Sequence, residues 1–197
     1  MINVFQPALG LEELEAVRRV FESNWLGKGR LTADFEKAFA GHLGVPAEHL
    51  RSVNSCSEGL FLALKLLGAG PGDEIVMPSI SFVASANAAV DRGARPVFCD
   101  VDRRTLNATA ESIEAVLTPR TKAVILIHYG GLPADMDAIL DLLRPRGISV
   151  VEDSACSVAS THRGRACGTM GDIGVWSFDP AKILVTGDGG MVYARDP

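Results

Sequence analysis

The sequence predicts an α/β protein with a mainly parallel, seven-stranded sheet and helices on both of its faces. From residue 51 onward, short apolar runs alternate with stretches of helical periodicity, which is the pattern of strands joined by helices. The runs are apolar at every position rather than at every second one, as expected for strands that are covered on both faces. Glycine-marked turns such as "GAGPGDE" and "DRGARP" lead out of helices into strands.

Two helices are predicted before the sheet begins. The stretch "LEELEAVRRVFE" spaces its apolar residues by three and four positions, which gives one apolar stripe. The stretch "TADFEKAFAGHLG" has Thr32 as a candidate N-cap and ends at a glycine. Between them lies the glycine-broken loop "NWLGKGRL", which carries Trp25 in a position that looks exposed.

Seven strands and four more helices follow. The strand candidates are "RSVN", "EIVMP", "RPVFCDV", "KAVILIH", "ISVVED", "IGVWSF" and "GMVYA". The helix candidates between them are "SEGLFLALKLLG", "SFVASANAAVDRG", "ESIEAVLT" and "MDAILDLLRPRG". We find no internal repeat, low-complexity tract or linker, so residues 1–197 are expected to form one domain.

Composition and charge argue against several classes of protein. Hydrophobic residues make up 47% of the chain and charged residues 22%, which is ordinary for a folded, soluble protein. The net charge of −5 and the scattered basic residues argue against a nucleic-acid partner. No apolar run reaches the length of a membrane span, and "MINVFQPALG" lacks the plan of a signal peptide, so we expect a cytoplasmic protein. The cysteines and histidines lack the spacing of a zinc site, so no metal is expected.

Candidate functional residues follow the carboxyl ends of the strands, where ligands of open α/β sheets bind. Residues 55–57, "SCS", lead from the first strand into a helix whose N-terminal amides could bind an anion; a plain serine N-cap is the alternative. Phe82 follows the second strand. Glu152 and Asp153 end "ISVVED", and successive strand side chains point to opposite faces. One of these acids is therefore expected to face the site and the other to be solvated or structural.

Lys182 lies in "SFDPAKILVTGDGG", beside an apolar run and ahead of three glycines within four positions. A lysine in a desolvated pocket has a lowered pKa, and only the neutral amine attacks a carbonyl; a lysine that extends from a loop into solvent is the alternative. An anion cradle, an aromatic ring, a carboxylate and such a lysine at one sheet edge together describe a site for pyridoxal phosphate (PLP). The fingerprints GxGxxG, GxxxxGK[ST], GxSxG and HExxH are absent.

Several motifs resemble the sugar aminotransferase family that is called DegT or StrS. They are "GPGDEIVMPSISFVASANAAVDRGARPVFCDVD", "PADMDAI", "VVEDSA", "GDIGVWSF" and "TGDGGMVYARDP", in this order. The similarity covers nearly all 197 residues. Members of the family are fold-type I enzymes that use PLP, so the resemblance implies the large domain of such an enzyme.

The resemblance also implies a role for each candidate residue. Lys182, at the family's Ser-Phe-x-x-x-Lys spacing from Ser177, would bind the cofactor covalently and move protons. Asp153 would keep the pyridine nitrogen protonated, and Phe82 would stack on the ring. The implied phosphate ligands are Cys56, Ser57 and Ser177.

Three departures from the family pattern stand out. "EDSACSVAS" replaces the usual "EDAAQAHGA", so Cys156 stands where a glutamine commonly lies near the ring hydroxyl, and a thiol is a poor donor. Glu58 follows the phosphate-binding residues directly, where an acid would repel phosphate unless it points away. The family's smaller C-terminal domain is absent from the sequence, so the end at Pro197 is expected to reflect truncation.

The implied function is transfer of an amino group, with glutamate as the expected donor, to a keto sugar that is linked to a nucleotide. Related family members that dehydrate sugars carry histidine in place of Lys182, which favours transamination here. The alternative is a non-catalytic binding or regulatory module, or an inactive fragment that keeps the fold. The resemblance implies a homodimer for the full-length protein, with Trp25 and Leu26 of "NWLGKGRL" at the shared boundary; packing of Trp25 on the core of its own domain is the alternative. For the 197-residue chain we expect a weakened dimer.

Overall fold

The computed structural model of the chain describes residues 6–196, so the first half of "MINVFQPALG", in which a signal peptide was sought, lies outside the described residues. Nine strands are present in this part of the chain: β1 (Leu50–Val53), β2 (Glu74–Pro78), β3 (Arg95–Cys99), β4 (Thr121–Ile127), β5 (Ser149–Asp153), β6 (Thr161–His162), β7 (Arg165–Ala166), β8 (Ile173–Ser177) and β9 (Gly190–Ala194). Seven of them form one sheet in the order β1-β9-β8-β5-β4-β2-β3. These seven strands are the seven that the sequence predicts.

The sheet is mainly parallel. Strands β3, β2, β4, β5 and β8 pair in parallel along the sheet. Strand β9 is antiparallel to both of its neighbours, β8 and β1. The fold-class prediction is confirmed. The two-residue hairpin of β6 and β7 was not predicted, because it is too short to show a strand pattern.

Six α-helices are described: α1 (Leu11–Glu22), α2 (Arg30–Leu43), α3 (Cys56–Leu66), α4 (Ala84–Asp91), α5 (Ala110–Glu114) and α6 (Met136–Leu143). The prediction that Thr32 caps α2 is wrong. The N-cap is Gly29, three residues earlier, because Gly29 is extended and its carbonyl already accepts from the amide of Ala33. The predicted glycine stop is present at Gly44, which has the left-handed conformation (φ 70°) that ends many helices.

Helices cover both faces of the sheet, as predicted. Ile75 and Met77 of β2 pack in one apolar cluster with α3 and α4, whereas Val76 between them packs in the opposite cluster with α6. Alternate residues of one strand therefore support two separate core layers, which explains why the runs are apolar at every position. A third cluster lies under α2 and includes the fully buried Trp176.

Helix α1 differs from the others because none of its residues is buried. The predicted apolar stripe is present, but its side chains are between 52% and 82% exposed: Leu11, Leu14, Val17 and Phe21. None of the helices in residues 6–196 combines the length and the apolar character that crossing a bilayer requires.

Candidate functional site

A cavity of about 280 Å³ lies at the carboxyl edge of the sheet, beside the ends of β5 and β8 and the start of α3. Its described lining residues are Ser55, Cys56, Ser57, Leu60, Phe82, Ala84, Asp153, Ala155, Ser177, Asp179, Lys182 and Asp188. Six of the seven candidate site residues are among them. The seventh, Cys156, does not line this cavity, although the Lys182 Nζ approaches its sulfur at 3.8 Å.

The start of α3 offers backbone amides to the cavity. Ser55 is the N-cap, and its Oγ accepts from the amide of Glu58 at 3.1 Å. The amides of Cys56 and Ser57 have no acceptor among the described residues, as expected for the first turn of a helix. The Glu58 side chain is exposed and does not line the cavity. The serine cap and the anion-binding arrangement therefore occur together, at different residues of the same turn.

Asp153 is the buried carboxylate of the site. It is the last residue of β5, only 5% exposed, and its Oδ1 accepts from the amide of Ala155 at 3.0 Å. The thiol of Cys56 lies 3.9 Å from the same oxygen. Burial raises the pKa of Asp153, while the Ala155 amide and then the positive charge of Lys182 act in the opposite direction.

The neighbouring acid, Glu152, faces away from the cavity and is structural rather than solvated. It is completely buried, and its carboxylate accepts from the imidazole of His128 at 2.9 Å. It also accepts from the amides of Gly168 at 2.8 Å, Met170 at 2.6 Å and Gly171. The alternation of strand side chains thus places the two acids on opposite faces of the sheet. Asp153 lines the cavity, and Glu152 is buried on the other face.

Lys182 lies in the loop between β8 and β9. Its amide donates to the carbonyl of Asp179 at 2.9 Å, and the Asp179 carboxylate accepts from the Ala181 amide at 2.9 Å, so Asp179 shapes the turn that carries the lysine. Lys182 is half-buried, and Ile183 beside it is 80% exposed. The apolar run therefore does not give, within this chain, the desolvated pocket that the sequence predicted.

The other candidates line the cavity in different ways. Phe82 is 69% exposed at its mouth. Ser177, at the end of β8, is 8% exposed, and its Oγ accepts from the Asp179 amide at 3.4 Å. Burial, followed by the charge of Asp153, raises the pKa of the Cys56 thiol well above its usual range, so this thiol stays protonated at neutral pH.

Gly190 allows β9 to approach the start of α3. A Cβ at this position would lie 2.7 Å from the carbonyl carbon of Ser55 and 2.8 Å from the amide nitrogen of Cys56. Only a glycine fits so close to another backbone segment. Gly190 thus makes room for the first turn of α3, whereas the sequence indicated only that glycines are frequent after Lys182.

Sequence reasoning missed two acids of the cavity, Asp179 and Asp188. Asp188 accepts from the Gly189 amide at 2.8 Å, so it stabilises the glycine-rich turn. The signal that could have found both is their place in the quoted segment "SFDPAKILVTGDGG", on either side of Lys182. An acid flanked by glycine or proline in a loop often accepts from nearby amides.

One group of side chains elsewhere has the proximity of metal ligands. Oxygen or nitrogen atoms of Asp135, Asp137 and His162 lie within 4.8 Å of one another. Asp137 already pairs with Arg163 at 2.8 Å and Arg165 at 2.7 Å. Two guanidinium groups beside the carboxylate oppose the binding of a divalent cation, so this cluster is a surface ion-pair network.

Comparisons with known proteins show the family of this chain. Residues 7–197 match the DegT/DnrJ/EryC1/StrS aminotransferase family. The chain is 58% identical, over 197 residues, to dTDP-4-dehydro-2,3,6-trideoxy-D-glucose 4-aminotransferase of Saccharopolyspora spinosa; the match covers 100% of this chain and 51% of that protein. The chain therefore spans about half the length of this curated relative.

Solved structures give the same result. The aminotransferase TlmJ from Streptoalloteichus hindustanus superposes with a TM-score of 0.98 at 65% identity, covering 100% of this chain and 54% of that one. The Streptococcus pneumoniae protein Spr1654, solved in its PLP form, superposes with a TM-score of 0.93 at 26% identity over 98% of this chain and 53% of that one.

Proposed function

The chain belongs to the DegT/DnrJ/EryC1/StrS aminotransferase family, and we propose that residues 1–197 form the cofactor-binding domain of a PLP-dependent aminotransferase that acts on a nucleotide-linked keto sugar. The observation that carries this proposal is the meeting of Lys182, Asp153 and the free amides of α3 at one cavity. These three groups are more than 20 residues apart in sequence. Only the fold brings them together.

The residues present fit PLP. The phosphate is an anion, and the start of α3 offers two free amides and the Ser57 hydroxyl, with Ser177 across the cavity. The pyridine nitrogen requires a carboxylate, and Asp153 is the most buried acid of the cavity lining. The aldehyde requires an amine, and Lys182 is the one lysine among the described lining residues.

PLP, when bound, supplies a carbonyl that exchanges amines and a ring that accepts the electron pair of a broken Cα–H bond. Asp153 holds a proton on the ring nitrogen, because a carboxylate in a buried site strongly favours a cationic partner. Lys182 provides the amine that holds the cofactor and, once displaced, the base that moves a proton to or from the substrate carbon. Phe82, which lines the same cavity, would stack on the ring.

The acceptor is proposed from a relative, and the amino donor from the family resemblance. The curated relative from Saccharopolyspora spinosa is named for amino transfer to a dTDP-linked dehydro sugar. We extend this substrate class, a nucleotide-linked keto sugar, to the protein of which this chain forms part, with glutamate as the amino donor. A homodimer in which two subunits complete each site belongs to the same proposal.

The test is covalent capture of the cofactor. The chain is incubated with PLP, reduced with borohydride and digested, and the modified peptide is identified by mass spectrometry. We expect modification at Lys182, an absorbance band of the bound cofactor, and loss of both in Lys182→Ala. Lys65→Ala, which removes an exposed lysine from α3, is the matched control and should change neither.

Two other results have distinct meanings. Modification spread over surface lysines, with the band unchanged in Lys182→Ala, would contradict the proposal. Specific modification of Lys182 without amino transfer from glutamate to any of a panel of keto sugars would instead support the alternative, a cofactor-binding module without turnover.

A further inference from the structure

A second cavity, of about 430 Å³, also adjoins Lys182. Among the described residues, Lys182 is the only one that lines both this cavity and the cofactor cavity. The walls of the second cavity come from the N-terminal segment 6–8, from the segments that follow β4 and β5, and from the loop segment 181–183. A lysine that faces two adjoining cavities can contact a cofactor in one and a reacting carbon in the other.

The walls of this second cavity are poor in hydrogen-bonding side chains. Five of its eight described lining residues have no polar side-chain atom: Pro7, Ala8, Gly130, Ala181 and Ile183. The remaining three are Gln6, Cys156 and Lys182. Lys182 is engaged with the cofactor in the proposed function, which leaves the Cys156 thiol as the polar group beside its amine.

The side chain of Cys156 contacts the amine of Lys182. It is exposed, and its sulfur accepts from the Lys182 Nζ at 3.8 Å. A thiol is a weak donor and a weak acceptor, so it compensates poorly for the water that a sugar hydroxyl loses on binding. A ring carbon that carries a hydrogen atom in place of that hydroxyl has no hydrogen bond to water to lose when it binds beside such a wall.

We propose that this cavity holds the sugar ring of the acceptor and that Cys156 makes the site selective for a ring with few hydroxyl groups. The inference rests on the proposed function, because it takes the carbon next to Lys182 as the reacting one. It makes Cys156 a residue that determines specificity.

The experiment compares two ligands that share the dTDP group and carry a 4-hydroxyl in place of the reactive ketone. One has a 2,3,6-trideoxyhexose and the other a 6-deoxyhexose with hydroxyls at positions 2 and 3. Binding to the PLP-loaded 197-residue chain is measured by calorimetry. The ratio of the two Kd values isolates the contacts of the ring, because the nucleotide contribution cancels. We expect the trideoxy ligand to bind at least ~10-fold more tightly.

Two variants test the role of the thiol. Cys156→Ser keeps the size and adds a full donor and acceptor, so the Kd ratio should fall at least ~3-fold, within the range that one added hydrogen bond allows. Cys156→Ala is the matched control and should preserve the ratio, because it keeps the wall apolar. If Cys156 only supported the fold, both substitutions would change the Kd ratio by the same factor.

Several results would overturn the inference. These are a wild-type ratio near one, a preference for the hydroxylated ligand, equal ratios in the two variants, or no binding of either ligand. Because neither ligand can react, the outcome is independent of amino transfer. An active enzyme with a ratio near one would contradict only this inference, and a high ratio without amino transfer would contradict only the proposed function.

Discussion

The imidazole of His128 and the carboxylate of Glu152 form a hydrogen bond of 2.9 Å in which both side chains are completely buried. The Nδ1 of His128 accepts from the amide of Ala134 at 3.1 Å, so the proton of the neutral ring resides on Nε2 and points at Glu152. The amide of His128 donates to the carbonyl of Asp153 at 3.3 Å. This pair therefore ties the ends of β4 and β5 together directly beside the candidate ring-binding acid.

Replacing Glu152 with glutamine should destabilise the protein by roughly 3 kcal/mol. Four N–H donors now share the two oxygens of the Glu152 carboxylate. In glutamine, one of these oxygens is replaced by an NH2 group, which cannot accept from the donors that face it. Urea unfolding of the cofactor-free protein measures the change. The control is Glu114→Gln, whose exposed ion pair with Arg146 should contribute less than ~1 kcal/mol. Equal effects of the two substitutions would show that Glu152 is not the structural acceptor described here.

Replacing Asp153 with asparagine should stabilise the cofactor-free protein at neutral pH and weaken cofactor binding by ~10–100-fold. Burial raises the pKa of Asp153 in the folded state, so the folded protein binds more protons than the unfolded one above the ordinary value of 3.8. The contribution of this acid to stability therefore falls as the pH rises above that value, until the folded-state pKa is passed. Asparagine does not ionise, so the variant does not lose this stability as the pH rises.

The measurements for Asp153 are the Tm of the cofactor-free protein between pH 4 and 8 and the Kd for PLP. Asp141→Asn, which changes an exposed acid of α6, should leave both quantities unchanged. A Tm of the Asp153 variant that stays below the wild-type value across the whole range would contradict the stated cause of the pKa shift. Unchanged PLP affinity would contradict the assigned contact with the ring nitrogen.

Replacing Gly190 with alanine should lower both stability and PLP affinity. The new methyl group would lie within 3 Å of the backbone of Ser55 and Cys56, so the start of α3 must move away from its anion-binding position. We expect a loss of ~1–3 kcal/mol, as for an overpacked core site, and at least ~10-fold in PLP affinity. Gly41→Ala provides the control, since nothing lies within 4 Å of a Cβ there. That change lies within α2 and should stabilise the protein by ~0.5–1 kcal/mol.

Replacing Trp25 with serine should shift the protein toward the monomer. Trp25 is 63% exposed and packs against Gly27 and Gly29 of its own loop rather than against the core, with its Nε1 donating to the carbonyl of Lys28 at 3.2 Å. Large exposed aromatic side chains are enriched at interfaces. Sedimentation at several concentrations should show a concentration-dependent dimer for the wild type, with a dissociation constant at least ~10-fold higher in the variant. A monomer at every concentration would refute the interface.

The local pattern of the sequence determined the elements of the fold and the position of several site residues. Apolar runs that alternate with helical periodicity predicted all seven strands of the main sheet, because the central strands are buried on both faces and are therefore apolar along most of their length. The carboxyl ends of parallel strands share one edge, so the sequence placed Asp153 and the "SCS" turn at the same edge of the sheet. The apolar and glycine-rich neighbours of Lys182 in the sequence likewise indicated a functional lysine.

Tertiary structure alone decided which groups meet and how exposed they are. The sequence could not show that β9 inserts between β1 and β8, or that Gly190 approaches Ser55, because the contacts of β9 with β1 and of Gly190 with Ser55 join segments more than 100 residues apart. The alternation of strand side chains left Glu152 and Asp153 open, and the expected cofactor and the family resemblance pointed to Asp153; the packing of the loop at Gly168 against Glu152 shows which acid faces away from the cavity. The half-exposure of Lys182 could not be predicted either. The burial of a loop residue depends on the segments packed around the loop, and the sequence of the loop does not show them.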